Sequence, residues 1–279
     1  MFLLEPQETA YDLRWQMFGI PVRVHPMFWL VTLIMGGNAL QQGVAYLLIW
    51  VACVFVSILV HELGHVVMGR IFGAEGRIIL YGFGGLAVGS NQLRHRMERI
   101  AVSFAGPLAG SLFLGLVFLA LYARDPVLFP AYVAVAKAEF GTPLPQGAEI
   151  RQLLGELFQL HRMELSVVSD LIFINLLWGI VNLLPVWPLD GGQICRDALG
   201  GITPGREITL SLGISLVTAG ILAIHSLMVV YDRPLLPLPF GSKYSAFLFG
   251  MLAFQSYQLL QQASAERRWQ DEHWDRGDY

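Results

Sequence analysis

The residues with the clearest chemical potential form the sequence HELGH, from His61 to His65. On a helix, residues four apart lie on one face, so the imidazoles of His61 and His65 can converge on one Zn²⁺, with Glu62 beside them. Zinc acidifies a bound water molecule, and a carboxylate placed like that of Glu62 can accept the proton. The spacing therefore predicts a hydrolytic zinc site with Glu62 as its catalytic base.

This group lies in a nearly uninterrupted apolar run from Val44 to Phe72. Ionisable side chains within a membrane span cost roughly 2.5 to 3.5 kcal/mol each on insertion scales, and they usually mark function. A purely structural role would have to account for three such groups within one and a half turns of helix. The setting therefore favours a metal site inside a membrane.

A catalytic zinc usually has three protein ligands and a fourth position for water. The best candidate for the third ligand is Asp190, in the sequence NLLPVWPLDGGQ from Asn182 to Gln193. Pro185 and Pro188 interrupt a helix there, and irregular backbone is tolerated at membrane depth only where it is buried in protein or lines a wet cavity. We therefore predict one Zn²⁺ per chain, bound by His61, His65 and Asp190.

The composition indicates a polytopic membrane protein. Of 279 residues, 55% are hydrophobic and 14% are charged, whereas about a quarter of residues are charged in soluble proteins. The net charge is −3, and no dense Lys/Arg cluster offers a surface for nucleic acid. The lipid bilayer is the expected partner, nucleic acid is not, and the oligomeric state stays open.

Hydropathy predicts an all-α polytopic fold with about six transmembrane helices. The predicted spans are Pro26 to Leu40, which is short, Val44 to Gly69, Ile100 to Tyr122, Val167 to Val186, Leu210 to Tyr231, and Tyr244 to Leu260. Twelve of the 18 Lys and Arg residues fall on the side that both termini share. Because cationic residues accumulate on the cytoplasmic side, we expect both termini in the cytoplasm and the protein in the cytoplasmic membrane.

The connections between spans are uneven. The glycine-rich stretch from Arg77 to Ser90 alternates weakly and predicts a small β-hairpin, either beside the active site or simply on the surface. The connection from Arg124 to Glu164 predicts a helix in the outer interface, with an apolar stripe of Ile150, Leu153, Leu154, Leu157 and Phe158. We expect one membrane-embedded domain over 1–279, with an N-terminal cytoplasmic segment (1–25) and a loosely ordered or interfacial polar tail (261–279).

Several motifs together resemble the site-2 protease family of intramembrane zinc metalloproteases. They are HELGH, the later NLLPVWPLDGG, and the glycine-rich segment with Phe83, Gly84 and Gly85 between them. The sequence GIPVRVHPMFWL, from Gly19, resembles the short bacterial members, which lack PDZ and CBS domains.

The resemblance implies cleavage of membrane-anchored protein substrates within the membrane. His61, His65 and Asp190 would bind zinc, and Glu62 would be the base. Substrate binding would fall to Asn182, Pro185, Gly84 and Gly85. The chain has Gly110 where the family often has an asparagine, which leaves substrate selection open.

Two other functions are compatible with the same residues. The ligands could form a permeation site for a divalent metal, in which case Glu62 would not be strictly needed as a base. The chain could also be a catalytically silent membrane scaffold. For Asn175, seven residues before Asn182, the sequence allows either an interhelical hydrogen bond or a place in the site.

Overall fold

The computed structural model describes residues 5–82, 84–139, 155, 159–238 and 241–276. The chain forms two compact units, one from residues 1–93 and 105–181 and the other from residues 94–104 and 182–279. The predicted interfacial stripe, Ile150, Leu153, Leu154, Leu157 and Phe158, lies outside the described residues.

The described residues are mostly helical. The helices are α1 (Pro26–Met35), α2 (Gly37–Gln42), α3 (Val44–Ile71), α4 (Arg96–Arg124), α5 (Phe129–Glu139), α6 (Arg162–Ile172), α7 (Trp178–Asn182), α8 (Asp190–Ile202), α9 (Glu207–Val230) and α10 (Lys243–Arg276). A five-residue π-helix, Phe173–Leu177, joins α6 to α7.

Four helical stretches in the described part of the chain are long and apolar enough to cross a membrane. They are α3, α4, the stretch from α6 through α7 and α9, and they match the second to fifth predicted spans. The fourth ends at Asn182 rather than Val186, because Pro185 disfavours helical backbone just before it. These helices are those of a membrane protein.

The helices at the first and sixth predicted spans are not among those long and apolar enough to cross a membrane. Helix α1 has 10 residues, about 15 Å at the helical rise, which is about half of the hydrocarbon thickness. Helix α10 starts where the sixth span was predicted and continues to Arg276. Residues 261–276 are thus helical rather than loosely ordered, because Gln, Ala, Glu and Arg favour a helix. The interfacial alternative for the tail stays a prediction.

A four-stranded sheet accompanies the helices, whereas the sequence predicted a small hairpin. Its strands are β1 (Leu13–Met17), β2 (Ile20–Val24), β3 (Arg77–Tyr81) and β4 (Gly84–Val88), in the order β1-β2-β3-β4. Strands β1 and β2 pair antiparallel, β2 and β3 parallel, and β3 and β4 antiparallel. Strand β3 is therefore internal, and β4 is an edge strand of the sheet.

The core of the first unit lies between this sheet and helices α1 and α3. Ile78 and Leu80 of β3 are fully buried, and Phe28 of α1 is nearly fully buried. Phe28 contacts the ring of Phe55 on α3, and Trp29 stacks on that ring with the centroids 5.4 Å apart. The sheet is thus anchored against the helix that carries HELGH.

The second unit is built around α9 and α10, which pack along each other. The hydroxyl oxygens of Ser215 on α9 and Ser256 on α10 lie 2.7 Å apart and are both fully buried. This hydrogen bond satisfies two polar groups in an otherwise apolar helix contact.

Helices α3 and α4 approach closely at Gly64. A Cβ placed on Gly64 would overlap the carbonyl oxygen of Ala105 and lie 2.7 Å from the Ala109 Cβ. Gly115, farther along α4, has no atom within 4 Å of such a Cβ. Only the first glycine is required by helix packing.

We therefore expect opposite effects from two alanine substitutions. Gly64→Ala should destabilise the metal-free protein by about 1 to 3 kcal/mol, because overpacking forces the helices apart. Gly115→Ala should leave stability unchanged or raise it by up to about 1 kcal/mol through helix propensity. Thermal unfolding in detergent, followed by tryptophan fluorescence, measures both; equal midpoints would contradict the close packing at Gly64.

Candidate metal centre

Helix α3 places the two histidines of HELGH side by side. Their Nε2 atoms lie 3.1 Å apart, and the rings meet edge to face with centroids 4.8 Å apart. Two nitrogen ligands bound at the usual zinc distances in tetrahedral geometry lie about 3.3 Å apart. The imidazole pair therefore has the separation that a shared zinc ion requires.

Gly106 of α4 forms one wall of this pair. A Cβ at this position would overlap the Nε2 atom of His65 and lie 2.8 Å from that of His61. The structure shows that Gly106 leaves room for the two rings.

Glu62 is buried on the same helix, with 6% of its surface exposed. Gly85 of β4 lies against it, since a Cβ on Gly85 would overlap the Glu62 side chain. Burial raises the pKa of the Tyr81 hydroxyl to about 12, and the negative charge of Glu62 adds to the shift. Tyr81 thus remains a protonated hydrogen-bond donor in the neighbourhood of this carboxylate.

Asp190 is the first residue of α8 and follows an irregular segment. The Trp187 N–H in this segment donates to the Ser215 hydroxyl at 2.7 Å. A Cβ on Gly191 or Gly192 would overlap backbone atoms of the same segment. The two glycines therefore let α8 begin in direct contact with the chain that precedes it.

Asp190 stays the predicted third ligand of the ion. Two imidazole nitrogens and one carboxylate oxygen are a donor set that suits zinc and leaves a fourth position for water. The residues present thus fit a zinc ion, although other divalent metals accept the same donors.

The remaining predicted site residues are those expected to bind the substrate. Gly84 has a φ of +124°, which favours glycine, and no atom lies within 4 Å of its ideal Cβ position. Asn182 ends α7, and Pro185 lies in the irregular segment before Asp190. Substrate binding by Gly84, Gly85, Asn182 and Pro185 stays a prediction.

Asn175 makes the interhelical hydrogen bond that was one of its two sequence-based interpretations. Its Nδ2 donates to the Ser57 hydroxyl on α3 at 2.8 Å and to the Leu171 carbonyl at 2.9 Å. Its Oδ1 lies 3.2 Å from where a Cβ on Gly110 would be. Ser57 is one turn before His61 on the same face of α3. The sequence analysis missed it, although this four-residue spacing could have indicated it.

Comparison with known proteins decides the family. Residues 49–224 match the sequence profile of peptidase family M50. This chain belongs to peptidase family M50. The matched region contains HELGH, the segment before Asp190 and most of α9.

Individual relatives and one solved structure agree with the family. The chain is 24% identical over 229 residues to a zinc metalloprotease of Methanocaldococcus jannaschii, a match that covers 79% of this chain and 57% of the relative. It is 27% identical over 183 residues to stage IV sporulation protein FB of Bacillus subtilis, which covers 65% of this chain and 48% of the relative. The chain spans about half of the length of these curated relatives.

The fold is similar to that of a solved structure, the site-2 protease from Methanocaldococcus jannaschii. The TM-score is 0.51 at 20% sequence identity, and the match covers 90% of this chain and 95% of that one. At this identity the likeness supports a shared fold.

The contact at Gly106 gives a testable prediction for metal binding. Gly106→Ala should weaken Zn²⁺ binding by about 10- to 100-fold, the range seen when the support of a metal ligand is disturbed, because the added methyl group displaces the His65 ring. Gly110→Ala is the matched control, since the three atoms nearest to its Cβ would all belong to Asn175. Chelator competition with purified protein measures the affinities, and equal affinities for the two variants would contradict the assignment of Gly106.

Proposed function

We propose that the chain is an intramembrane zinc endopeptidase of the site-2 protease type. It would cut transmembrane or membrane-proximal peptide bonds of membrane-anchored proteins. The observation that carries the proposal is the imidazole pair of His61 and His65, with Nε2 atoms 3.1 Å apart, beside the buried carboxylate of Glu62. Asp190 is the proposed third ligand. Membership of peptidase family M50 supports it.

One Zn²⁺ per chain would be held by those three side chains. When bound, zinc lowers the pKa of water to about 7 and polarises the scissile carbonyl. The two imidazoles are held by α3 and confined by Gly106 of α4. Because the two Nε2 atoms already lie 3.1 Å apart, little rearrangement of the histidines is needed for binding.

Glu62 would accept a proton from the attacking water and pass it to the leaving amine. Its carboxylate can serve both steps because the side chain is buried and lies against Gly85. A base fixed in this way does not lose conformational freedom when the substrate arrives. Tyr81 adds a neutral hydroxyl near this carboxylate and does not compete for the proton.

A transmembrane substrate must unwind before cleavage, because a helix keeps its amides in internal hydrogen bonds. We propose that the unwound segment adds as a strand to β4. Strand β3 does not offer an edge, because it is paired on both sides. The edge is therefore provided by β4, and Gly84 and Gly85 would contact the substrate there.

We further propose that Asn182 and Pro185 contact the substrate on the way to Asp190, as the family resemblance implies. The same resemblance and the charge distribution support six spans in one membrane-embedded domain over 1–279 of the cytoplasmic membrane, with both termini in the cytoplasm. The short helix α1 and the start of α10 would supply the first and sixth spans.

Glu62→Gln tests the chemistry directly. Cleavage of a tagged single-span substrate should fall by about 10²- to 10⁴-fold, the usual contribution of a general base, while bound zinc stays at the wild-type level. His61→Ala should lose both zinc and cleavage. Metal analysis by mass spectrometry and cleavage in lipid nanodiscs measure the two quantities. Wild-type cleavage by Glu62→Gln would refute the mechanism and favour metal transport by the same ligands.

Ala87 in β4 allows a test of substrate addition at this edge strand. The His25 N–H donates to the Leu80 carbonyl at 2.8 Å, so Leu80 and its partner Gly85 form a pair without ladder hydrogen bonds. In an antiparallel ladder such pairs alternate, and the Ala87 N–H therefore points away from β3. Ala87→Pro would remove this donor and leave the β3–β4 ladder in place.

We expect Ala87→Pro to slow cleavage of the substrate with unchanged zinc content and thermal midpoint. Ala87→Ser keeps the backbone N–H and has a side chain of similar size. This variant should cleave the substrate at the wild-type rate. If both variants cleave at the wild-type rate, strand addition at β4 is wrong.

A further inference from the structure

Helix α8 carries a second buried carboxylate in addition to Asp190. Asp197 lies seven residues later, on the same face of the helix, and is 5% exposed. Its Oδ1 accepts hydrogen bonds from Nε and Nη2 of Arg99 at 3.0 and 2.8 Å. The zinc chemistry proposed above does not use this pair.

Arg99 is itself held in place. Its Nη1 donates to the Arg94 carbonyl at 3.2 Å, so the guanidinium is fixed between the start of α4 and α8. Only the carboxylate of this pair is fully buried, and Arg196 also lies 3.9 Å from it. Removal of the closer arginine is unfavourable, because the Asp197 charge stays desolvated. The contact therefore resists any motion of α8 that would separate Asp197 from Arg99.

The other end of α8 is held by backbone packing. Gly191 and Gly192 abut the preceding segment, and Ser215 accepts a hydrogen bond from Trp187 in that segment. These contacts fix where the helix begins but act close to its axis. Rotation and tilt of α8 are best resisted farther along, and Asp197 lies about 10 Å from Asp190 at the helical rise.

We propose that Arg99 and Asp197 are positioning residues that orient α8 so that the Asp190 carboxylate reaches the metal. This inference rests on the proposed zinc site and assigns two residues to its support. Neither residue touches the ion; they act through the helix that presents the ligand.

Helix α4 offers a matched control at its opposite end. Arg124 pairs with Glu164, which also accepts a hydrogen bond from the Tyr132 hydroxyl at 2.7 Å. Arg99 and Arg124 are separated by 25 positions, about 37 Å along the helix. Glu164→Gln therefore removes an arginine–carboxylate pair from the same helix, far from α8.

The first measurement is metal binding by the full chain in detergent. Asp197→Asn keeps the size and one acceptor oxygen but loses the charge, and it should bind Zn²⁺ and Co²⁺ about tenfold or more weakly and change the visible spectrum of bound Co²⁺. Arg99→Lys keeps the charge but loses the paired donors. This variant should also bind both metals more weakly and change the Co²⁺ spectrum in the same direction. Glu164→Gln should bind both metals like the wild type.

The second measurement needs no metal. Cys195 is half-buried on α8, between the two carboxylates, and Cys53 is buried on α3. In metal-free protein, alkylation of Cys195 should be faster in Asp197→Asn than in the wild type or Glu164→Gln, with Cys53 as internal reference. Peptide mapping by mass spectrometry separates the two thiols.

The outcomes distinguish the two proposals. Wild-type protein that binds neither metal would refute the zinc site and, with it, the role assigned to Asp190. Metal binding by Asp197→Asn equal to that of Glu164→Gln would refute only the positioning role. An unchanged alkylation rate at Cys195 despite weaker metal binding would also refute the positioning role. The same holds if Asp197→Asn and Arg99→Lys both lose enough thermal stability to unfold without metal.

Discussion

The dominant constraint on this molecule is that ionisable groups lie within an apolar helix. His61, Glu62 and His65 occupy consecutive turns of α3, where lipid could not solvate them. The structure meets this constraint by close contact with glycines: Gly106 faces the two imidazoles and Gly85 faces the carboxylate. A position without a side chain lets a neighbouring backbone approach and exclude lipid, and it leaves volume for the rings and for a metal.

The same principle operates where Asp190 is presented. Helix α8 starts against its own preceding segment because Gly191 and Gly192 have no side chains. The polar groups exposed by the broken helix find partners, as the Trp187 N–H does in Ser215. Irregular backbone at membrane depth requires such partners. The ion pair of Arg99 and Asp197 extends this support along α8.

Local patterns in the sequence predicted much of the helical fold and the histidine pair of the candidate site. Apolar length indicated the four long spans, and the four-residue spacing of His61 and His65 indicated the metal pair. The sheet was less accessible, because the parallel pairing of β2 with β3 joins Val22 to Ile78, 56 positions away, and neither strand predicts its partner by itself. The role of Gly106 was likewise invisible, since a glycine in an apolar helix does not reveal which side chain it faces.

The position of β4 links the conformation of a substrate to the base that would act on it. Gly85 contacts Glu62 through one face of the sheet, while the free edge of the strand lies in the plane of the sheet. A segment added at that edge would run about 4.8 Å from β4 and would be extended, with its carbonyls no longer protected by helical hydrogen bonds. A segment that stayed helical could not pair with β4. The edge strand would therefore select unwound substrates and bring them next to the catalytic carboxylate in a single step.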